Sequence, residues 1–483
     1  MQNFQSKSFP LFIGVFLTFM GTLFVFILPI YQGPDEPIHY GTVQYKAEPQ
    51  EKTWPIQERK IIHSGQDIRE FNLSEETVLG GKLNQFDELK WQEENTQNFS
   101  RHTTTHPDEQ TFNQTQLKRY IDTYPHNASG TKSVYYTLAS LIEKNVPELT
   151  FNERFFLTRF FSLALYLGIV VLTYLVTYNL FTSFLQRALF TLLVGLEPML
   201  LATGTIVNID IALVFSFTLF FLTSIRVLTK PNFINHAFLL LSFILAFYSK
   251  GPAICLAPVM GVIYLLLLKN YFHWSTKKTL SLLLLSAILV VITFFVAIPH
   301  SYTTSIFRLG TSSQFASVSD SLLSYTQKTL SFDDLFHSHT SYWGNFGWLD
   351  TEISKTLLIF IWFLEYLAYT GLIFFLLSKK TLTYLPSKKI IYLSLGIILS
   401  LQLAIRFYDW RTFDITKQIL IGTPGRYFLP TILPHFVILV TGFGFLFTKN
   451  RAQFTLLLKT LSLGMLLLSM YAVFNVIIPR YYL

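Results

Sequence analysis

Long apolar runs separated by short polar breaks set the pattern of this chain. The first covers about 9–30. Others cover about 155–181, 188–207, 210–228, 236–249, 253–268, 279–299, 355–377, 390–405, 427–447 and 456–478. A helix rises about 1.5 Å per residue, so about 20 apolar residues cross a hydrocarbon core. The pattern predicts an all-α polytopic membrane protein with about 11 transmembrane helices. The 236–249 run is short and reads with 253–268 as a hairpin bent at Ser249-Lys250-Gly251-Pro252. A cleaved leader would have a shorter apolar core and a small-residue cleavage site. Here Pro34-Asp35-Glu36-Pro37 follows the first run, so that run is expected to stay as a helix.

Two polar stretches, 31–153 and 300–354, are too long to be turns. The chain then divides into a first helix (1–30), a large and partly structured loop (31–153) and helices two to seven (154–299). A second large loop (300–354) and helices eight to eleven (355–483) complete it. Within the first loop, 134–142 has the apolar spacing of a helix lying on a membrane surface.

Charge then sets the orientation. Only 14% of residues are charged, against about 25% in a soluble domain. The net charge of +8 arises in short loops between apolar runs, so it is no nucleic-acid footprint. With the N-terminus inside, 14 Lys and Arg residues from Lys7 to Lys459 fall on the cytoplasmic side. Only 4, Lys250, Arg406, Arg411 and Lys417, fall in short outer connections. That bias places the N-terminus in the cytoplasm of a cell-membrane protein and turns both large loops outward. The single Cys255 excludes a disulfide framework and a cysteine metal site.

Under this topology, unusual polar residues from distant parts of the chain collect on one side. Asp35, Glu36 and His39 follow the first helix, and Arg154 and Arg159 begin the second. Asn208 and Asp210 sit in a tight turn, and Lys250 marks the hairpin bend. Trp343, Trp348 and Asp350 end the second large loop, while Arg426 and Tyr427 precede the tenth helix. Each has a plainer role open to it. Prolines stop helices, Arg154 and Arg406 can reach to headgroups, Asp210 can cap a helix and tryptophans anchor at interfaces. Lys250 and Arg426 fit such roles least, because each lies beside a helix-disrupting residue near apolar sequence, where an unpaired charge is costly.

Carboxylates beside cations at the membrane boundary suit an anionic lipid-linked substrate. Guanidinium and ammonium groups hold phosphate and stabilise charge on a phosphate leaving group. A carboxylate on the other side of the sugar can take the acceptor's proton as general base. Asp35 is the first choice for that base and Glu36 the next. Asp35, Glu36 and Asp210 are also candidates to share a divalent cation. His102 and His106 have metal-like spacing, but the three threonines between them disfavour a helix. Glu197 and Glu365 fall within apolar runs and are the residues that suit a transport path instead.

The motifs Pro34-Asp35-Glu36-Pro37-Ile38-His39-Tyr40, Asn208-Ile209-Asp210, Ser249-Lys250-Gly251-Pro252, Trp343-Gly344-Asn345-Phe346-Gly347-Trp348-Leu349-Asp350 and Gly425-Arg426-Tyr427-Phe428-Leu429-Pro430 come in a familiar order. They resemble a large bacterial family of predicted membrane proteins, similar in plan to the GT-C superfamily of polyprenyl-phosphate-dependent glycosyltransferases. The resemblance implies a catalytic acid in the first loop, at Asp35 or Glu36, and a phosphate-binding base at Lys250 or Arg426. It implies a polyprenyl-phosphate-linked sugar as donor; a glycan or glycolipid is the expected acceptor, while neither the motifs nor the family names the sugar or the acceptor. The chain departs from the family pattern at Lys132-Ser133-Val134-Tyr135-Tyr136, where many relatives read Pro-Pro-Leu-Tyr-Tyr. The other readings are a lipid-linked sugar flippase or transporter, and a polysaccharide polymerase or ligase.

Overall fold

A computed structural model describes residues 2–47, 133–272, 317–380, 382–416 and 424–483, with Thr77, Gly80, Gly81 and Ser281 besides. His102, His106 and most of the 279–299 run lie outside the described residues. The chain opens with α1 (Gln2–Ile27) and α2 (Glu36–Ala47), followed by α3 (Val134–Asn145), α4 (Phe151–Leu180), α5 (Phe184–Gly195) and α6 (Pro198–Thr203). Next come α7 (Asp210–Thr229), α8 (Phe233–Ser249), a 3-10 turn (Gly251–Cys255) and α9 (Leu256–Phe272). Helices α10 (Val318–Thr329) and α11 (Phe332–Trp343) lead into strands β1 (Asn345–Phe346) and β2 (Thr351–Glu352). Helices α12 (Lys355–Leu377) and α13 (Lys388–Thr416) precede a 3-10 segment (Gly425–Thr431) that runs into α14 (Ile432–Phe447). Finally, α15 (Arg451–Tyr471) continues through a π-helical stretch (Ala472–Ile477) into α16 (Ile478–Tyr482).

Seven of these stretches are long and apolar enough to cross a membrane, and three shorter apolar helices, Phe12–Ile27, Phe184–Gly195 and Phe233–Ser249, occupy other expected spans. The span through α7 and that of Gly425–Phe447 are 78% and 83% buried, whereas Gly251–Lys269 is 28% buried. The first two therefore form the centre of the bundle, with apolar side chains of the others turned outward. Close approach has a local cause. A Cβ on Gly442 would strike the carbonyl of Ala368, and one on Gly371 would strike that of Gly442. Small residues thus let α12 and α14 cross backbone to backbone.

Two expectations change. The run 188–207 is not one helix: α5 stops at Gly195, and Glu197 caps α6. Its carboxylate accepts from the Met199 and Leu200 amides at 3.2 and 2.5 Å. Pro198, which has no amide proton, sits in the first turn after that cap. Glu197 is therefore a helix cap. The second large loop, where described, is mostly helical. Ser317 and Ser331 accept from the amides of Asp320 and Asp334 and start α10 and α11. Its end is a short antiparallel hairpin pairing Asn345 with Glu352 and Phe346 with Thr351. The helix expected at 134–142 is present as α3, with Tyr135, Tyr136 and Glu143 facing the protein and Leu138 and Leu141 exposed.

Candidate functional site

The site starts where α1 ends. Tyr31 and Asp35 both take positive φ, 67° and 59°, and with Leu349 (65°) they are the non-glycine residues of that kind among those described. A side chain at Gly33 would strike Ile206. This tight, strained turn aims the adjacent carboxylates Asp35 and Glu36 in different directions.

Glu36 turns inward and is fully buried. Arg159 Nε and Nη2 donate to its two oxygens at 2.8 and 2.7 Å. The Val207 amide donates to one oxygen at 2.9 Å and the Gly33 amide to the other at 3.2 Å. Arg159 also donates to the carbonyls of Val25, Leu28 and Pro29 at 2.6–2.9 Å. Those carbonyls are among the groups a helix C-terminus leaves open. The pair therefore ties the end of α1 to α4 and to the turn before α7, with no lone pair turned to a substrate. Arg154, expected to reach to headgroups, is likewise buried and bonded to Glu143 at 2.9 Å.

Asp35 turns the other way. Its side chain is 42% exposed, and its Oδ2 accepts from Arg426 Nη2 at 3.0 Å. A second pair stands beside it: Lys250 Nζ lies 2.5 Å from Asp210 Oδ1. The Asp210 amide donates to Asn208 Oδ1 at 2.7 Å, and Asn208 Nδ2 donates to the Pro34 carbonyl at 3.5 Å. The ring of Tyr427 is close to both cations, with its centroid 4.9 Å from Lys250 Nζ and 5.2 Å from Arg426 Cζ. His39 Nδ1 lies 2.6 Å from the Tyr136 hydroxyl. Burial pushes the His39 imidazole down to about 4, against the opposing pull of Asp35 and Asp210. It is neutral at pH 7.

Arg426 is the least satisfied member. Its Nε and Nη1 are buried with no hydrogen-bond partner among the described residues. It lines a cavity of ≈ 20 Å³ with Gly33, Asn208, Asp210, Asn345 and Gly347, room for about one water. Buried N–H donors without partners are costly. These two nitrogens are ready to bond an acceptor.

Seven expected residues thus come together: Asp35, His39, Asn208, Asp210, Lys250, Arg426 and Tyr427. The tryptophan-rich stretch serves differently. Trp343 points away into the bundle and donates to Glu365 at 3.1 Å. Trp348 Nε1 donates to the Tyr31 carbonyl at 2.9 Å and holds the hairpin over the turn. Asp350 accepts from the Trp348 amide at 3.2 Å and from Thr351 Oγ1 at 3.0 Å, bracing Gly347 at φ 61°. Asp35, Glu36 and Asp210 do not converge on a point. Among the described residues no group of three His, Cys, Asp or Glu is placed to hold a metal ion. Tyr136, Asn345 and Gly347 stand in the quoted motifs without a role of their own, since nothing in local spacing links, for example, Tyr136 to His39, 97 residues away.

Fold and site define a multi-pass membrane protein whose distant charged residues meet at one end of a helical bundle. The sequence pattern of DUF2142, described as predicted membrane proteins, matches residues 17–435, and the chain belongs to that family. No curated protein and no solved structure matches the chain.

Proposed function

We propose that this protein is an inverting glycosyltransferase working at the outer face of the cell membrane. It moves a sugar from a polyprenyl-phosphate donor to a glycan or glycolipid acceptor in cell-surface polysaccharide or glycolipid assembly. The observation that carries the reading is the Arg426 guanidinium. It uses one nitrogen on Asp35 and leaves two buried nitrogens unbonded, with Lys250 near the same Tyr427 ring. Planar N–H donors of this kind match phosphate oxygens.

Donor phosphate arriving at Arg426 competes with Asp35 for Nη2 and frees the carboxylate. Asp35 then takes the proton of the acceptor hydroxyl as that oxygen bonds to the anomeric carbon. The bond from that carbon to the phosphate oxygen breaks, and the phosphate leaves with the electron pair, held by Arg426 and Lys250. Glu36 is unsuited to the base role because all its bonding capacity goes to Arg159, Gly33 and Val207. Polyprenyl-phosphate sugars presented to the purified protein in lipid should yield a new glycosidic bond, and Asp35→Asn should abolish it. Retained turnover in that variant would remove Asp35 from the mechanism.

A transporter reading has one observation in its favour, the buried Glu365 joined to His339 at 3.0 Å. Movement of a lipid-linked sugar across vesicles with no new glycosidic bond would favour it over transfer.

A further inference from the structure

A second, larger cavity opens at the same end of the bundle. Its volume is ≈ 620 Å³, and Leu349, Asp350, Glu352, Asn475, Pro479 and Arg480 are among the residues around it. That size falls in the range of about 300–1,000 Å³ usual for small-molecule sites. The hairpin borders both cavities: Asn345, Phe346 and Gly347 line the one at Arg426, and the residues after Trp348 line this one. The other wall is the end of the last helix, whose Tyr482 hydroxyl donates to the Ile27 carbonyl at 2.9 Å. Through Trp348 and Tyr482, both walls are tied to the turn between α1 and α2.

Two local irregularities shape this cleft. Leu349 takes φ 65°, a rare backbone for a bulky residue. It is held there by its amide, which donates to the Phe346 carbonyl at 3.1 Å, and by its carbonyl, which accepts from Asn345 Nδ2 at 2.9 Å. Opposite, the π-helical stretch Ala472–Ile477 interrupts the α-helix and carries Asn475. Asn475 is the one amide or charged residue between Ser469 and Arg480, and it is exposed on the cleft. Such π-helical turns are frequent at functional sites.

The polar groups are mixed in kind. Glu352 is exposed and accepts from Asn345 Nδ2 through one carboxylate oxygen at 3.1 Å. Asp350 Oδ2 lies 3.8 Å from Arg480 Nη2, farther than a hydrogen bond. A carboxylate only accepts, a guanidinium only donates and a carboxamide does both. A phosphate here would face two carboxylates, and a metal ion or an ammonium group would face Arg480. A hydroxyl both donates and accepts, so a polyol can pair with all three kinds of side chain. The C–H faces of a sugar ring suit Leu349 and Pro479.

We infer that this cleft binds an uncharged saccharide. Its further assignment as the place of the acceptor's sugar, beside the turn that carries Asp35, rests on the transferase reading. Saccharide binding itself does not.

The test uses the full chain in lipid nanodiscs without donor. Saturation-transfer NMR is run with glucose, galactose, mannose, N-acetylglucosamine and their disaccharides, and with glucosamine and inorganic phosphate as charged controls. At least one uncharged sugar should receive saturation from the wild type. Asn475→Trp, which fills the cleft, should abolish that signal. Asn475→Ala and Glu352→Ala should each weaken affinity by several-fold to tenfold, the loss of one or two hydrogen bonds. No uncharged sugar bound by the wild type, binding of the charged controls alone, or unchanged binding in Asn475→Trp each overturns the proposal. Failure of the transferase reading looks different: sugars bind in the cleft, yet no polyprenyl-phosphate sugar yields a new bond. Transfer that proceeds in Asn475→Trp with an unchanged acceptor KM would instead sink the cleft and spare the transferase.

Discussion

Asp35 and Glu36 are neighbours in the chain yet answer to different arginines: Glu36 is enclosed by Arg159, while Asp35 meets Arg426, which lines the small cavity. One carboxylate is closed off by its partners, and the other stays partly exposed. The left-handed backbone at Asp35 produces the division, because it reverses the chain just before α2 begins.

Arg159→Met should therefore unfold the protein readily. Removing one partner of a buried pair leaves an uncompensated charge and costs about 3–5 kcal/mol. Thermal unfolding in detergent would show a large fall in midpoint. Asp35→Asn, at a partly exposed position, should move the midpoint little while removing transfer by about 10²–10⁴-fold. Equal destabilisation by the two changes would erase the distinction drawn between them.

Arg426→Lys keeps the charge but loses the planar donors that face the cavity. Donor affinity should weaken by about tenfold or more, corresponding to loss of one charge-assisted hydrogen bond. A rise in KM for the donor larger than any fall in kcat would be the signature.

His39 gives a pH dependence with a defined sign. Its folded value is lowered to about 4, so between about 6.5 and 4 the unfolded chain binds the proton first. Stability is whole above about pH 6.5 and declines as the medium becomes more acid, by up to about 3 kcal/mol. His39→Gln should flatten that part of the curve. An unchanged acid limb would mean that other groups govern it.

Gly425→Ala should disturb the site without touching a charge. Its Cβ would meet the Ser338 carbonyl and the Tyr342 amide, backbone atoms of α11 that cannot swing aside. The expected cost is about 1–3 kcal/mol, with weaker donor binding because Arg426 is the next residue. Crystallography or cysteine cross-linking between α11 and the 425–431 segment would report the displacement.

Hydrophobic run length made the helices legible, since burial in lipid demands it of every spanning segment. It could not reveal the break at Glu197, because an acidic cap and a proline disturb a long apolar average very little. The starts of α10 and α11 were readable in principle from Ser317 with Asp320 and Ser331 with Asp334, but the polarity of 300–354 suggested a loop. Sidedness brought Asp35, Lys250 and Arg426 into one neighbourhood. It could not say which carboxylate faced which cation, because the answer depends on backbone dihedrals at 31–35 and on contacts such as Arg426 with Asp35, 391 residues apart. Trp343 shows the opposite failure: its motif marks the hairpin, while the helix turn before it sends the ring toward Glu365.

The spacing of those partners bears on biosynthesis. Glu36 can find Arg159 while the ribosome is still threading the early helices into the bilayer, 123 residues after the acid itself emerges. Asp35 must wait for Arg426 until translation is nearly over, so on a nascent chain the first of these two ion pairs can close long before the second.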